Sequence, residues 1–362
     1  MNRKMRTTAV LLISSMVFSL AGCSNGGTKD TPLQEKTGNQ SDTTAQSGTT
    51  ALSAPEQGAE RSSEAVVLRV GCTGAEDSNY AKGLYHFEEL AETYSNGKVD
   101  IQVFPSGQLG DERDMVEGVA MGSIEMCLTS TGPLPSISED FMILDLPFLF
   151  ESRDKATIFL DGQYGRQILD TLEPKGIHAL GFWENGFRNI TSNFEIVHPE
   201  DLKGFKIRTM ENEVHMKTFE LLGANPSPMA WSEVYSALQQ KVMDGHENAL
   251  VNIANYKIYE VNNHIAMTGH FYSAAVLMIN QDLFVGLDAD IQEAIIKAEK
   301  ESREWERDYS AGLDETLRAE MENEGALIND VDKTEWQKAC APTYDYFKDR
   351  INQEYLNSII GQ

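Results

Sequence analysis

The sequence is short of cysteine, of positive charge and of long apolar runs. Its 362 residues hold four cysteines, and Cys72, Cys127 and Cys340 stand far apart with no CxxC pair. A disulfide framework and a zinc site are therefore not indicated, and these three read as small buried apolar residues. Thirty Lys and Arg face 56 Asp and Glu, a formal net charge of -26, which repels nucleic acid and anionic lipid surfaces at long range. Any site for an anionic ligand must then carry its positive charge locally. No P-loop, GxSxG, HExxH or GxGxxG context occurs, and the seven histidines lack metal-ligand spacing. An enzyme, a metal and a cofactor are accordingly not expected.

The one long apolar stretch, Ala9 to Leu20, follows Arg3, Lys4 and Arg6. It is too short for a permanent span and reads as a signal peptide over residues 1–22. Leu20-Ala21-Gly22-Cys23 looks like a lipobox, which makes Cys23 an acylated membrane anchor; an ordinary cleavable signal with a chance cysteine is the plainer alternative. Residues 23–64 are Ser, Thr, Gly, Gln and Ala with scattered charge, a composition that cannot bury enough surface to fold. They read as a disordered tether.

The remaining chain of about 300 residues exceeds the usual size of one core, so two domains are expected. Val66 to Gly71 and the alternating Val99, Ile101 and Val103 read as strands, and Tyr80, Leu84, Phe87, Ala91 and Tyr94 recur at helical spacing between them. A helix over 111–120, strands over 124–129, 177–183, 205–209 and 274–279, and a helix over 232–242 capped by Ser232 continue the pattern. The class is α/β, with helices on the faces of a sheet. From Ala289 to Glu324 only Gly312 interrupts a helical repeat carried by Trp305, Tyr309, Leu313, Leu317 and Met321, which predicts one long helix; two helices broken at Gly312 is the alternative.

Candidate chemistry concentrates between Gly181 and Asn248. Arg188 lies in Glu184-Asn185-Gly186-Phe187-Arg188-Asn189, just after a predicted strand, and Arg208 ends the strand Gly204-Phe205-Lys206-Ile207-Arg208. An arginine at a strand end of an α/β sheet points toward the crevice where such folds bind ligands, and its fork matches a carboxylate. An ordinary salt bridge explains either arginine equally well on pattern alone.

The lipobox and tether, Gly107-Gln108-Leu109-Gly110-Asp111-Glu112-Arg113, the segment around Arg188, Asp201-Leu202-Lys203-Gly204-Phe205-Lys206-Ile207-Arg208, Gly223-Ala224-Asn225-Pro226-Ser227-Pro228-Met229, Trp231-Ser232-Glu233-Val234-Tyr235 and Asp244-Gly245-His246-Glu247-Asn248 appear in an order that closely resembles the DctP family. These are solute-binding proteins of tripartite ATP-independent periplasmic (TRAP) transporters. The resemblance implies a two-domain periplasmic-binding-protein-like fold, with a ligand cleft between domains and a long helix crossing both. Residues 65–185 with 274–312 would form one domain, and 186–273 with 313–362 the other.

It also implies an organic acid as ligand, TRAP membrane subunits as partners, and an extracytoplasmic location. Arg208 matches the principal carboxylate-binding arginine, Arg188 a second, and Asn248 an amide contacting the same group. Thr73, Glu112, Ser130 and Trp231 match positions lining the cleft. Glu211, where the family often has a small or amide side chain, would repel a second carboxylate if it faces the ligand, which favours a sugar acid such as a hexuronate over a C4-dicarboxylate or another monocarboxylate. His215, one helical turn on, is either a contact or a packed helix residue. A sensory protein presenting its ligand to a receptor, and an exported enzyme acting on carbohydrate, are the competing classes.

Overall fold

The computed structural model describes residues 65–361. The signal peptide, Cys23 and the tether as predicted lie outside the described residues. The chain runs β1 (Val66–Cys72), α1 (Asn79–Tyr94), β2 (Val99–Phe104), α2 (Glu112–Met121), β3 (Met126–Ser130), α3 (Arg153–Leu160), α4 (Gln163–Asp170), β4 (Ile177–Ser192), β5 (Lys206–Thr209), α5 (Glu213–Leu221) and β6 (Asn225–Pro228). It continues α6 (Trp231–Gln239), β7 (Gly245–Ala249), α7 (Leu250–Asn255), β8 (His264–Asn280), α8 (Gln281–Gly286), α9 (Ala289–Ala311), α10 (Leu313–Asn323), β9 (Leu327–Asp330), α11 (Lys333–Phe347) and α12 (Gln353–Ile360).

All strands join one sheet in the order β2-β1-β3-β8-β4-β7-β5-β6, with β9 beside β8. Two parallel sets, β2-β1-β3 and β7-β5-β6, flank the long antiparallel pair β8-β4. The pair is long enough to serve both: the C-terminal half of β8 takes β3, and the C-terminal half of β4 takes β7. Carboxyl ends of parallel strands are where α/β sheets bind ligands, and here two such sets share one sheet.

Both long strands exceed their predicted lengths. The stretch from Glu184 to Ser192 reads as a loop because it is rich in Asn, Gly and Arg, but it continues β4 as a bulged strand, with register shifts between Glu184 and Gly186 and between Arg188 and Ile190. Gly186 supplies the bend at φ 116°, which a side chain would resist. Arg188 therefore sits inside a strand and not after one.

The single helix predicted over 289–324 is instead two. Gly312 N–H bonds to Tyr309 O in a tighter turn that ends α9, and α10 begins at Leu313. The crossing is made by the two in succession. Ile291, Ile295 and Ala298 of α9 pack with Leu84 and Phe87 of α1 over β1, whereas Leu317 and Met321 of α10 pack with Val234, Leu238 and Leu250 of α6 and α7. Cys72, Cys127 and Cys340 are buried and unbridged. Among the described residues no helix is long and apolar enough to cross a membrane.

Candidate functional site

β7 lies between β4 and β5, and its sequence Gly245-His246-Glu247-Asn248-Ala249 brings the two arginines together. Arg188 of β4 pairs in register with Ala249, and Arg208 of β5 with His246. Gly245 is required for this closeness: a Cβ there would fall 2.0 Å from Thr191 O.

The two arginines have opposite electrostatic situations. Arg188, 1% exposed, gives Glu247 a bidentate pair, Nε to Oε2 at 2.5 Å and Nη2 to Oε1 at 2.9 Å, and Nη2 also bonds the Glu247 carbonyl. Burial alone would raise the Glu247 carboxyl, but Arg188 and His270 hold it well below the usual carboxylate range. Arg208 is 3% exposed and forms no ion pair among the described residues. Its Nε and Nη2 both donate to the single carbonyl of Met229, at 2.9 and 2.5 Å, and its guanidinium lies 5.7 Å from the Trp231 ring centroid. Burial, opposed by Glu247 and reinforced by the like charge of Arg188, pushes its pKa down to about 10, so at neutral pH it remains a cation.

Both face one cavity at the carboxyl ends of the parallel strands β5 and β7. Eight of the residues singled out from sequence line it: Thr73, Glu112, Ser130, Arg188, Arg208, Glu211, Trp231 and Asn248. The Asn248 carbonyl oxygen already accepts from Ala249 N and Asn252 Nδ2, leaving its NH₂ to face an anion. Glu112 opposes this wall from the start of α2; its oxygens accept from Ser130 N and Oγ, both at 2.7 Å, and burial raises its pKa despite those bonds. Glu211 is at the rim, 44% exposed and 3.8 Å from Arg113. His215 is off the cavity wall, stacked on Phe271 at 4.1 Å and 3.3 Å from Asp145.

Contacts bridge the cleft itself. Asp111, at the start of α2, accepts from Ser232 Oγ at 2.7 Å and Ser232 N at 3.2 Å on α6. Ser232 is thus not the predicted helix cap: α6 begins one residue earlier, at Trp231, and the hydroxyl reaches across to Asp111. Tyr256 O–H donates to the Thr73 carbonyl, and Asn212 Nδ2 to Gly132 O at 2.9 Å.

Sequence reasoning gave no role to several wall residues or their partners. Glu247 and Asn185 stood inside quoted motifs without a role, Asn252 follows Asn248 at helical spacing, and Tyr80 was read only as a core position.

A family model described as bacterial extracellular solute-binding protein, family 7 (DctP), matches residues 70–350. The chain belongs to this family. It is 36% identical over 294 residues to a solute-binding protein of Verminephrobacter eiseniae, covering 81% of this chain and 88% of that one. It is 34% identical over 312 residues to the C4-dicarboxylate-binding periplasmic protein DctP of Rhodobacter capsulatus, covering 82% and 90%. The sugar acid binding protein DctPAm of Advenella mimigardefordensis, solved with galactonate, superposes with a TM-score of 0.80 at 33% identity over 82% of this chain and 97% of that one. Membership of the DctP family makes the fold a two-domain periplasmic-binding-protein fold and the protein an extracytoplasmic, substrate-binding component of TRAP-type transport.

Proposed function

We propose that this DctP-family protein captures an organic acid through an arginine–carboxylate clamp and delivers it to the membrane subunits of a TRAP transporter, tethered by a lipid on Cys23. Arg208 takes the carboxylate as a bidentate pair, Arg188 offers it the Nη1 that Glu247 leaves, and Asn248 donates its NH₂. The observation that carries this reading is Arg208, a buried guanidinium with no carboxylate partner among the described residues. A buried charge without a partner is costly, and a ligand carboxylate removes that cost. Because Glu247 neutralises Arg188, the wall bears one uncompensated positive charge, which matches one carboxylate.

Closure couples to the ligand. The two bodies either side of the cleft close on the ligand, and bringing them together excludes water, which strengthens the pair. The C-terminal Ile351, Tyr355 and Ile359 pack beside Phe159 and Ile168 in the core of the body that holds 65–185, and not in the second. An acid with hydroxyl groups, such as a hexuronate, is favoured because Asp111, Glu112 and Glu211 line the cavity beyond the clamp and oppose a second carboxylate. A C4-dicarboxylate is the second reading, and Arg113 on the same wall favours it; that arginine is already engaged by Glu117 at 2.9 Å and approached by Glu211.

A thermal-shift screen over aldonates, uronates and C4-dicarboxylates tests the proposal. A ligand at 100 times its dissociation constant stabilises by about 2.7 kcal/mol, so a true ligand separates clearly from the rest. Stabilisation by none of these acids contradicts the reading.

A further inference from the structure

We propose that Tyr80 is a specificity-determining residue of this cleft, donating its phenol O–H to a hydroxyl oxygen on the ligand's carbon chain, so that the site selects hydroxylated acids over unsubstituted ones. The proposal rests on the organic-acid reading above and goes further by naming the group that reads the rest of the ligand.

Tyr80 is the second residue of α1, 4% exposed, and its ring packs in the core beside Leu84 and Trp183. Its position is rigid: a Cβ on Gly74 would fall 3.1 Å from the Tyr80 Cβ, so the loop after β1 lies directly against it. The residue lines the cavity, yet its hydroxyl is buried with no hydrogen-bond partner among the described residues. Leaving a buried donor unmatched is unfavourable. Burial, then the charge of Glu112, keep the phenol well above its usual pKa, so it is a donor at neutral pH; Arg188 acts in the opposite sense. Tyr80, Glu112 and Arg188 line the same cavity.

That neighbourhood discriminates by hydrogen-bond logic. Tyr80 offers a donor, and Glu112, whose carboxylate retains acceptor capacity beyond its two bonds to Ser130, offers an acceptor. A ligand hydroxyl, both donor and acceptor, can satisfy the two together. A methylene satisfies neither, and a second carboxylate could take the Tyr80 proton donor but would meet the negative charge of Glu112.

Calorimetric titration of the wild type and Tyr80→Phe with galactonate and with hexanoate, which has the same chain length and no hydroxyls, tests the assignment. Tyr80→Phe keeps the ring and removes one oxygen, and a ligand-free melting temperature no lower than the wild type's verifies the fold. The expected result is a roughly tenfold or larger loss of galactonate affinity with hexanoate unchanged or tighter. Equal loss for both acids would mean a structural role, and no loss for galactonate would also overturn the assignment. A wild type that binds hexanoate as tightly as galactonate removes the proposed selectivity while leaving the carboxylate clamp standing. A wild type that binds neither acid overturns the assignment of Tyr80 to a hydroxylated six-carbon acid, and binding that survives Arg208→Lys undiminished removes the clamp alone.

Discussion

The two walls of the cleft solve opposite problems. On the wall built by β4, β5 and β7, cations are crowded together and one, Arg208, is left without an anion; on the wall built by α1 and α2, acids gather and a donor, Tyr80, is left without an acceptor. The difference is visible in two carboxylates. Arg188 pulls Glu247 below the usual range although burial opposes it, whereas burial lifts Glu112 above that range although Ser130 and the arginines oppose it. On the proposed reading, a hydroxylated carboxylate completes both walls, one end of the molecule to each.

The sharpest way to break this contrast is Glu247→Gln, which leaves Arg188 a second buried, unpaired cation. Removing one partner of a buried pair costs about 3 to 5 kcal/mol of stability, measurable by urea unfolding, and addition of an organic acid should recover part of it. If the variant is as stable as the wild type, the two arginines are not in different states. Next in size is Asp111→Ala, which removes both bonds from α2 to Ser232; release of ligand in a stopped-flow experiment should quicken by up to about thirtyfold, since about 1 kcal/mol is typical per bond, while association changes little.

Acidity separates the walls by sign. Glu247, with its pKa depressed, stabilises the fold above its ordinary value of 4.5, and that contribution is lost as the pH falls toward its folded value. Glu112, with its pKa raised, contributes most below 4.5, and its contribution is lost as the pH rises through its folded value. Unfolding curves of Glu112→Gln should therefore decline less with rising pH above 4.5 than the wild type's, the buried Glu184, Glu299 and Glu306 keeping their own share, and an identical decline in both proteins would disprove the assignment. The smallest effect belongs to Glu211→Gln at the exposed rim: freeing Arg113 from its neighbour should tighten succinate by less than about 1 kcal/mol and leave a sugar acid nearly unaffected. Equal effects on both ligands would remove Glu211 from the question of substrate.

How much of this was legible follows from what each feature depends on. The strands at Val66 and Val99, the helix from Tyr80 and the strand end at Arg208 are local patterns, and their periodicity sufficed. The eight site residues came together in one cavity because the resemblance carried information about the fold that spacing does not contain. What depends on pairing between distant strands stayed hidden. Arg188 meets Glu247 only because β4 and β7 are antiparallel neighbours in one register, and nothing local announces that register. The Asn- and Gly-rich stretch after Trp183 reads as a loop because a bulged strand needs the same residues as a turn. Ser232 reads as a cap because the opening of a helix is where serine commonly serves, and only the closed cleft reveals Asp111 as its partner. Tyr80 fits an apolar helical stripe perfectly well, and its unpaired oxygen cannot be read from spacing.

The central claim is that Arg208 holds the ligand's carboxylate, and calorimetric titration of Arg208→Lys against the wild type, with the acid that most stabilises the wild type, tests it most directly. Lysine keeps the charge and loses the fork, so the expected result is a loss on the order of 2 to 5 kcal/mol in binding with an unchanged melting temperature of the ligand-free protein. Equal affinity in the two proteins would contradict the claim.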